Sequence, residues 1–212
     1  MKACISWHHV QEASDRLRGV ALRTPLLRNP ALDDDCGREV FLKAEPLQRS
    51  GSFKFRGAWN RISRLNGEER ASGVIAWSSG NHAQGVAAAA RRLGVRARIV
   101  MPADAPRLKL DATRSLAAEI ITYDRYCESR ETIGRELAAR EGGVIVHPYD
   151  DPHIIAGQGT VGRELCEQVA DCGERLDALL ICCGGGGLAA GCAIAAERWS
   201  PQTHLFAVEP EG

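Results

Sequence analysis

Gly73-Val74-Ile75-Ala76-Trp77-Ser78-Ser79-Gly80-Asn81-His82-Ala83 is the stretch that decides the fold. Its first half is uncharged and carries Val74, Ile75 and Trp77, which reads as a buried strand. A polar Ser-Ser-Gly loop follows. Ala83 to Leu93 is then an alanine-rich run that reads as a helix, stopped at Gly94. The same unit recurs downstream. Ala97–Met101, Glu119–Tyr123 and Val144–His147 read as strands, with Arg107–Leu116 and Arg130–Arg140 as the helices between them. Strand, helix, strand with short links indicates an α/β fold with a parallel sheet.

Outward from this block the pattern continues on both sides. Downstream, Ile155–Ala170 reads as a helix behind a Gly157-Gln158-Gly159 lead-in. Leu176–Cys182 is an apolar strand, Leu188–Arg198 a helix and His204–Val208 a final strand. Upstream, Val10–Leu17 and Phe53–Leu65 have helical periodicity, Glu39–Lys43 is a short strand, and Asn29–Gly37 is a turn-rich connection. The expected architecture is two doubly wound parallel-sheet domains. Residues 71–149 form the small domain, and residues 1–70 and 150–212 form the large one, which the chain enters twice.

Composition narrows the function. The 212 residues contain 27 Lys plus Arg and 27 Asp plus Glu, so the net charge is zero and nothing favours nucleic acid or an anionic membrane. Aromatics at 5% are too few for a base-stacking surface. No run of apolar residues reaches membrane-spanning length. The eight cysteines form no C-x-x-C pair and no zinc-ligand spacing. Cys182, Cys183 and Cys192 lie in apolar, glycine-rich surroundings and read as small buried hydrophobes. Free thiols predict a reducing, cytoplasmic setting.

Three loops carry chemistry. In Ser50-Gly51-Ser52-Phe53-Lys54-Phe55-Arg56-Gly57 a lysine sits between two aromatic residues at a helix start. There, lost hydration and the helix dipole lower its pKa toward that of a usable nucleophile. A surface lysine with its stem over a ring is the alternative. Ser78-Ser79-Gly80-Asn81-His82 offers amides and hydroxyls to a carboxylate or phosphate, or else a serine simply caps the helix. Gly184-Gly185-Gly186-Gly187 lets successive N–H groups converge on a phosphate, or else is a tightly packed turn. It is followed by no Gly-Lys-Ser/Thr, so it is not a nucleotide P-loop. An activated lysine, a carboxylate cup and a phosphate cup without nucleoside machinery point to pyridoxal phosphate.

These motifs, together with Ile155-Ala156-Gly157-Gln158-Gly159-Thr160 and the Leu188 that closes the glycine loop, resemble the serine/threonine dehydratase and serine racemase family. Its members are fold-type II pyridoxal phosphate enzymes related to the tryptophan synthase β subunit. The resemblance implies that Lys54 carries the cofactor as an imine, with Phe53 beside the ring and Asn81 on its 3′ oxygen. Gly184, Gly185, Gly186, Gly187 and Leu188 would hold the phosphate. Ser78, Asn81 and His82 would border the substrate carboxylate. Lys54 would remove the Cα proton, and L-serine or L-threonine would leave as a 2-keto acid and ammonia. Ser79 would protonate the opposite face, which adds serine racemisation. A homodimer is implied on the same ground.

Family members continue beyond the point matched by Gly212, so the larger domain is expected to be truncated. A rival reading is a non-catalytic or partner-dependent fragment, and a lesser rival a β-replacement enzyme of the same fold. Glu209 matches a cation ligand of metal-activated members. It has no companion ligands in this sequence, so no metal site is expected.

Overall fold

The structure is a computed structural model that describes residues 5–211. Helix α1 (Trp7–Leu17) buries Val10, Ala13 and Leu17, as its periodicity requires. Strands β1 (Leu26–Arg28) and β2 (Phe41–Lys43) pair antiparallel, with Leu27 opposite Leu42. The connection between them is not a series of turns. It is helix α2 (Pro30–Cys36), started by the Asn29 side chain on the Ala31 N–H and ended by Gly37 at φ 62°.

Helix α3 (Lys54–Ile62) and a short helix α4 (Gly67–Ser72) lead into the alternating block. There β3 (Val74–Trp77), α5 (Asn81–Leu93), β4 (Ala97–Pro102), α6 (Arg107–Ser115), β5 (Glu119–Tyr123), α7 (Arg130–Glu141) and β6 (Val144–Ile145) follow in turn. The four strands form one parallel sheet in the order β5-β4-β3-β6. Every residue of β3 and β4 is buried, which is why, apart from Arg98 in β4, these strands read as apolar runs. One face packs against α5 and α3 through Val86, Ala89, Phe55 and Ile62. The other packs Trp77, Val100 and Tyr123, with Ile133 of α7 against them. Helices on both faces make this a doubly wound sheet. Its strand order reverses between β3 and β6, where open α/β sheets place their ligands.

The last part comprises α8 (Pro152–Asp171), β7 (Ala178–Cys182), α9 (Gly187–Trp199) and β8 (His204–Val208), with β7 and β8 parallel. Helix α8 starts at Pro152, capped by the Asp151 carboxylate on the N–H groups of His153 and Ile154. Gly157 and Gly159 are therefore not a lead-in; they lie inside the helix. A Cβ on Gly157 would stand 2.5 Å from the Cα of Gly57, so the two glycines let α8 and α3 cross backbone to backbone. Val161, Leu165, Val169, Leu179, Ile181 and Cys192 form a second core between α8, α9 and β7.

β7 is covered on one face only. Leu179 and Ile181 are buried while Leu180 and Cys182 are exposed, and β8 is exposed throughout. The expectation that Cys182 and Cys183 are buried is corrected accordingly. Cys182 points to the open face and Cys183 is half-buried; Cys192 alone of the three is buried. A groove of about 860 Å³ lies between β2 and β7, lined by Phe41, Leu42, Leu179, Ile181 and Leu188. Among the described residues no helix is long and apolar enough to cross a membrane.

Candidate active site

Lys54 is the first residue of α3, and a left-handed turn delivers it there: Ser50 has φ 62° and Gly51 φ 74°. A non-glycine residue in that region carries strain that the surroundings must hold. Behind the turn the hydroxyls of Ser50 and Ser52 are buried without a hydrogen-bond partner. The Lys54 Nζ donates to the Pro148 carbonyl at 2.7 Å and lies 5.4 Å from the centre of the Phe53 ring. Burial lowers its pKa below the ordinary lysine value, so more of the neutral amine is present at any given pH. Lys54 is thus half-buried with its amine bonded to the protein, beside the ring that the surface-lysine alternative also placed there. Gly85 of α5 packs directly on the Lys54 backbone, where a Cβ would approach the Lys54 carbonyl carbon to 2.9 Å.

The Ser78–His82 loop joins β3 to α5 at the sheet's switch point. Neither serine caps the helix. Gly80 is the N-cap residue and supplies no side chain, while the Ser78 hydroxyl accepts from the Gly80 N–H at 3.1 Å within the loop. The first turn of α5 thus keeps its N–H groups for another acceptor. Asn81 is exposed at that turn, and Ser79 is half-buried beside it. His82 is 3% exposed, with its Nε2 on the Val146 carbonyl at 2.9 Å. Nε2 must therefore carry the proton, and the buried Nδ1 is an acceptor with no partner. Burial pushes the His82 pKa down to about 3, with the nearby Lys54 and His147 acting in the same direction.

The glycine loop joins β7 to α9. Gly186 is the helix N-cap at φ 81° and again provides no side chain, so the N–H groups of the first turn are open. Leu188 is half-buried, and both it and Phe53, the aromatic neighbour of the lysine, pack against the second core. Glu209 lies exposed just past β8. Among the described residues no group of three His, Cys, Asp or Glu is placed to hold a metal ion.

No direct bond links Lys54 to Ser79, Asn81 or the glycines among the described residues. What touches all three loops is the segment after β6, for which the sequence indicates only the end of the strand Val144–His147. Val146 holds His82, Pro148 holds Lys54, and the Tyr149 ring stands against Gly185. The available signal was its place: it leaves the C-terminal end of a strand at the switch point.

A desolvated amine at a switch point, flanked by a flat ring and two bare helix N-termini, is the equipment of an enzyme that holds a phosphorylated aldehyde. Residues 17–212 match the family of pyridoxal-phosphate dependent enzymes, and the chain belongs to it. It is 51% identical over 202 residues to an L-threo-3-hydroxyaspartate ammonia-lyase of Saccharomyces cerevisiae, covering 95% of this chain and 61% of that protein. It is 46% identical to a serine racemase of Schizosaccharomyces pombe, covering 97% and 62%. The structure of maize serine racemase superposes with a TM-score of 0.93 at 38% identity, covering 98% of this chain and 62% of the other. The chain thus spans about three fifths of the length of the curated relatives it matches. The side chains fit the family's cofactor. Lys54 can take the aldehyde, the α9 N-terminus can take the phosphate, and the unpartnered hydroxyls of Ser50 and Ser52 mark polar capacity beside the lysine.

Proposed function

We propose that this chain carries the active site of an ammonia-lyase that converts a small β-hydroxy amino acid to a 2-keto acid and ammonia. The observation that carries the proposal is the half-buried Lys54 amine held at the switch point by Pro148. When bound, pyridoxal phosphate takes the substrate's amino group and accepts the electron pair of the Cα–H bond. The protein's part follows from its own groups. The α5 N-terminus and Ser78 receive the substrate carboxylate. Phe53 would lie beside the cofactor ring and Asn81 would hold its 3′ oxygen, while the glycine loop and Leu188 would hold its phosphate. Lys54 would hold the cofactor's aldehyde, and its Nζ would take the Cα proton of the substrate. His82 stays neutral and orients the loop through Val146.

Ser79 is assigned the return of a proton to the opposite face. Ser79→Ala is expected to abolish racemisation of L-serine while sparing most elimination, read by chiral analysis of serine beside keto-acid release. Equal loss of both would remove this role. Residues 71–149 are assigned to a small domain and the flanks to a large one, in a cytoplasmic homodimer.

One feature favours an acidic substrate. The Lys109 ammonium lies 3.7 Å from where a Cβ on Gly80 would sit, at the rim of the carboxylate cup. It has no ion-pair partner among the described residues, and a second carboxylate would neutralise it. L-threo-3-hydroxyaspartate therefore joins L-serine and L-threonine as a candidate substrate. The test mixes the purified chain with pyridoxal phosphate and follows the absorbance of the lysine-bound cofactor and keto-acid release from the three amino acids. Lys54→Ala should lose the absorbance and the activity. An unchanged spectrum in that variant would refute the Lys54 assignment.

A further inference from the structure

We propose that the aromatic ring of Tyr149 positions the phosphate-binding backbone of the Gly184–Gly187 loop. This rests on the cofactor reading above and adds to it a residue outside the three loops. The four glycines are not equivalent. Gly186 alone has a positive φ, and at Gly184 a Cβ would meet nothing within 4 Å. At Gly185 a Cβ would run into the Tyr149 ring, and at Gly187 it would lie 3.0 Å from the Tyr149 Cα and carbonyl oxygen. Gly185 and Gly187 are therefore glycines because Tyr149 lies against them.

The ring is itself held from the other side. His147 meets it edge-on at 4.7 Å, and Trp77 at the end of β3 meets His147 edge-on at 5.6 Å. The His147 Nδ1 accepts from the backbone N–H groups of Tyr149 and Asp150 at 3.4 and 2.9 Å, which fixes the segment's turn. A line of rings thus runs from the start of the Ser78 loop to the glycine loop. Between them Pro148 holds Lys54 and Val146 holds His82. A loop rich in glycine has many backbone states, and aiming its N–H groups at one phosphate requires that most be excluded. The Tyr149 ring is the rigid surface that excludes them. Without it the aldehyde chemistry at Lys54 keeps its groups, while the phosphate loses a fixed seat.

The experiment compares dissociation constants for pyridoxal phosphate and for pyridoxal, the same aldehyde without the phosphate, in the wild type, Tyr149→Ala and Tyr149→Phe. The wild type's preference for the phosphorylated ligand should fall at least about tenfold in Tyr149→Ala, the scale of one lost charge-assisted hydrogen bond. Pyridoxal binding should stay unchanged, and Tyr149→Phe should keep the preference because the ring remains. Equal weakening of both ligands in Tyr149→Ala means a merely structural residue and overturns the proposal. So does a loss in Tyr149→Phe as large as in Tyr149→Ala, which would place the effect in the hydroxyl. A second measurement needs no cofactor. Gly185→Ala should destabilise the wild type in urea but cost far less in the Tyr149→Ala background, since the ring it strikes is gone. Equal cost in both backgrounds overturns the contact. A wild type that gives no lysine-bound absorbance fails the cofactor reading itself, whereas one that does, with its phosphate preference intact in Tyr149→Ala, fails only this inference.

Discussion

His82 is a buried base whose free form would titrate near neutrality. Its folded pKa is pushed down to about 3 from an ordinary value of 6.5, first by burial. Between those two values the unfolded chain binds a proton that the folded chain does not. Stability is therefore full above the ordinary value and falls as the pH drops through it. From pH 6.5 to pH 5 one such group costs about 1.5 kcal/mol. His147 and His153 are also shifted downward by burial and add losses of the same sign, so the total acid sensitivity does not isolate His82. The difference between wild type and His82→Gln does. The glutamine amide can still donate toward the Val146 carbonyl but cannot titrate. Urea midpoints at the two pH values should converge in the variant by about that amount; an identical acid loss in both proteins would contradict a neutral, buried His82.

Among elements, the union of α3 with α8 depends on a charge cluster that binds the lysine's helix from behind. Arg56, one turn-half along from Lys54, is 0% exposed. Its guanidinium bonds both oxygens of Glu45 at 2.8 and 2.9 Å and both oxygens of Glu164 at 2.7 and 2.8 Å. Lys43 completes the cluster through Glu164 Oε2 at 2.8 Å, Gln168 Oε1 at 2.7 Å and the Thr24 carbonyl at 2.7 Å. Burial alone would lower the Arg56 pKa, but the hydrogen bonds to Glu164 and Glu45 outweigh it and raise the value. Removing one member leaves the others charged and desolvated, which costs about 3–5 kcal/mol. Arg56→Met should lose stability on that scale in urea, and Arg56→Lys less, because it keeps the charge but not the two-pronged geometry. A loss below about 1 kcal/mol in Arg56→Met would mean that the carboxylates find water or protons instead.

The same elements explain what was legible. β3 and β4 were readable because both faces are buried and, apart from Arg98, their residues are uncharged. α2 and α4 were not, because neither buries a residue and so neither leaves a periodic apolar stripe. The three loops were readable because each is contiguous in sequence and carries its chemistry locally. The segment after β6 was not, since its bonds reach 94 residues back to Lys54 and 64 to His82. Arg56 lay within the quoted lysine motif, yet Glu164 is 108 residues away and nothing local announces the pair.

Over the whole molecule, the site spans two regions built to different depths. Lys54 and the Ser78 loop rest on a sheet covered on both faces, whose strands β3 and β4 are buried at every residue. The glycine loop rests on β7, which is covered on one face, beside a β8 in which Phe206 is 52% exposed. Amide exchange reports such differences, because strands with few buried contacts open locally at less than the global cost. In the cofactor-free chain, amides of β4 should exchange only through global unfolding, while those of β8 exchange orders of magnitude faster through local opening. Pyridoxal phosphate binds the folded arrangement alone and so stabilises whatever its binding requires. Its addition should slow exchange at Gly187, Leu188 and Ala189 in the first turn of α9, and at Asn81 and His82 in that of α5. It should leave Phe206 on the open face of β8 unchanged. Uniform slowing across all strands would mean that binding is coupled to global stability and not to these two helix starts. No slowing at Gly187–Ala189 would mean that the phosphate is held elsewhere.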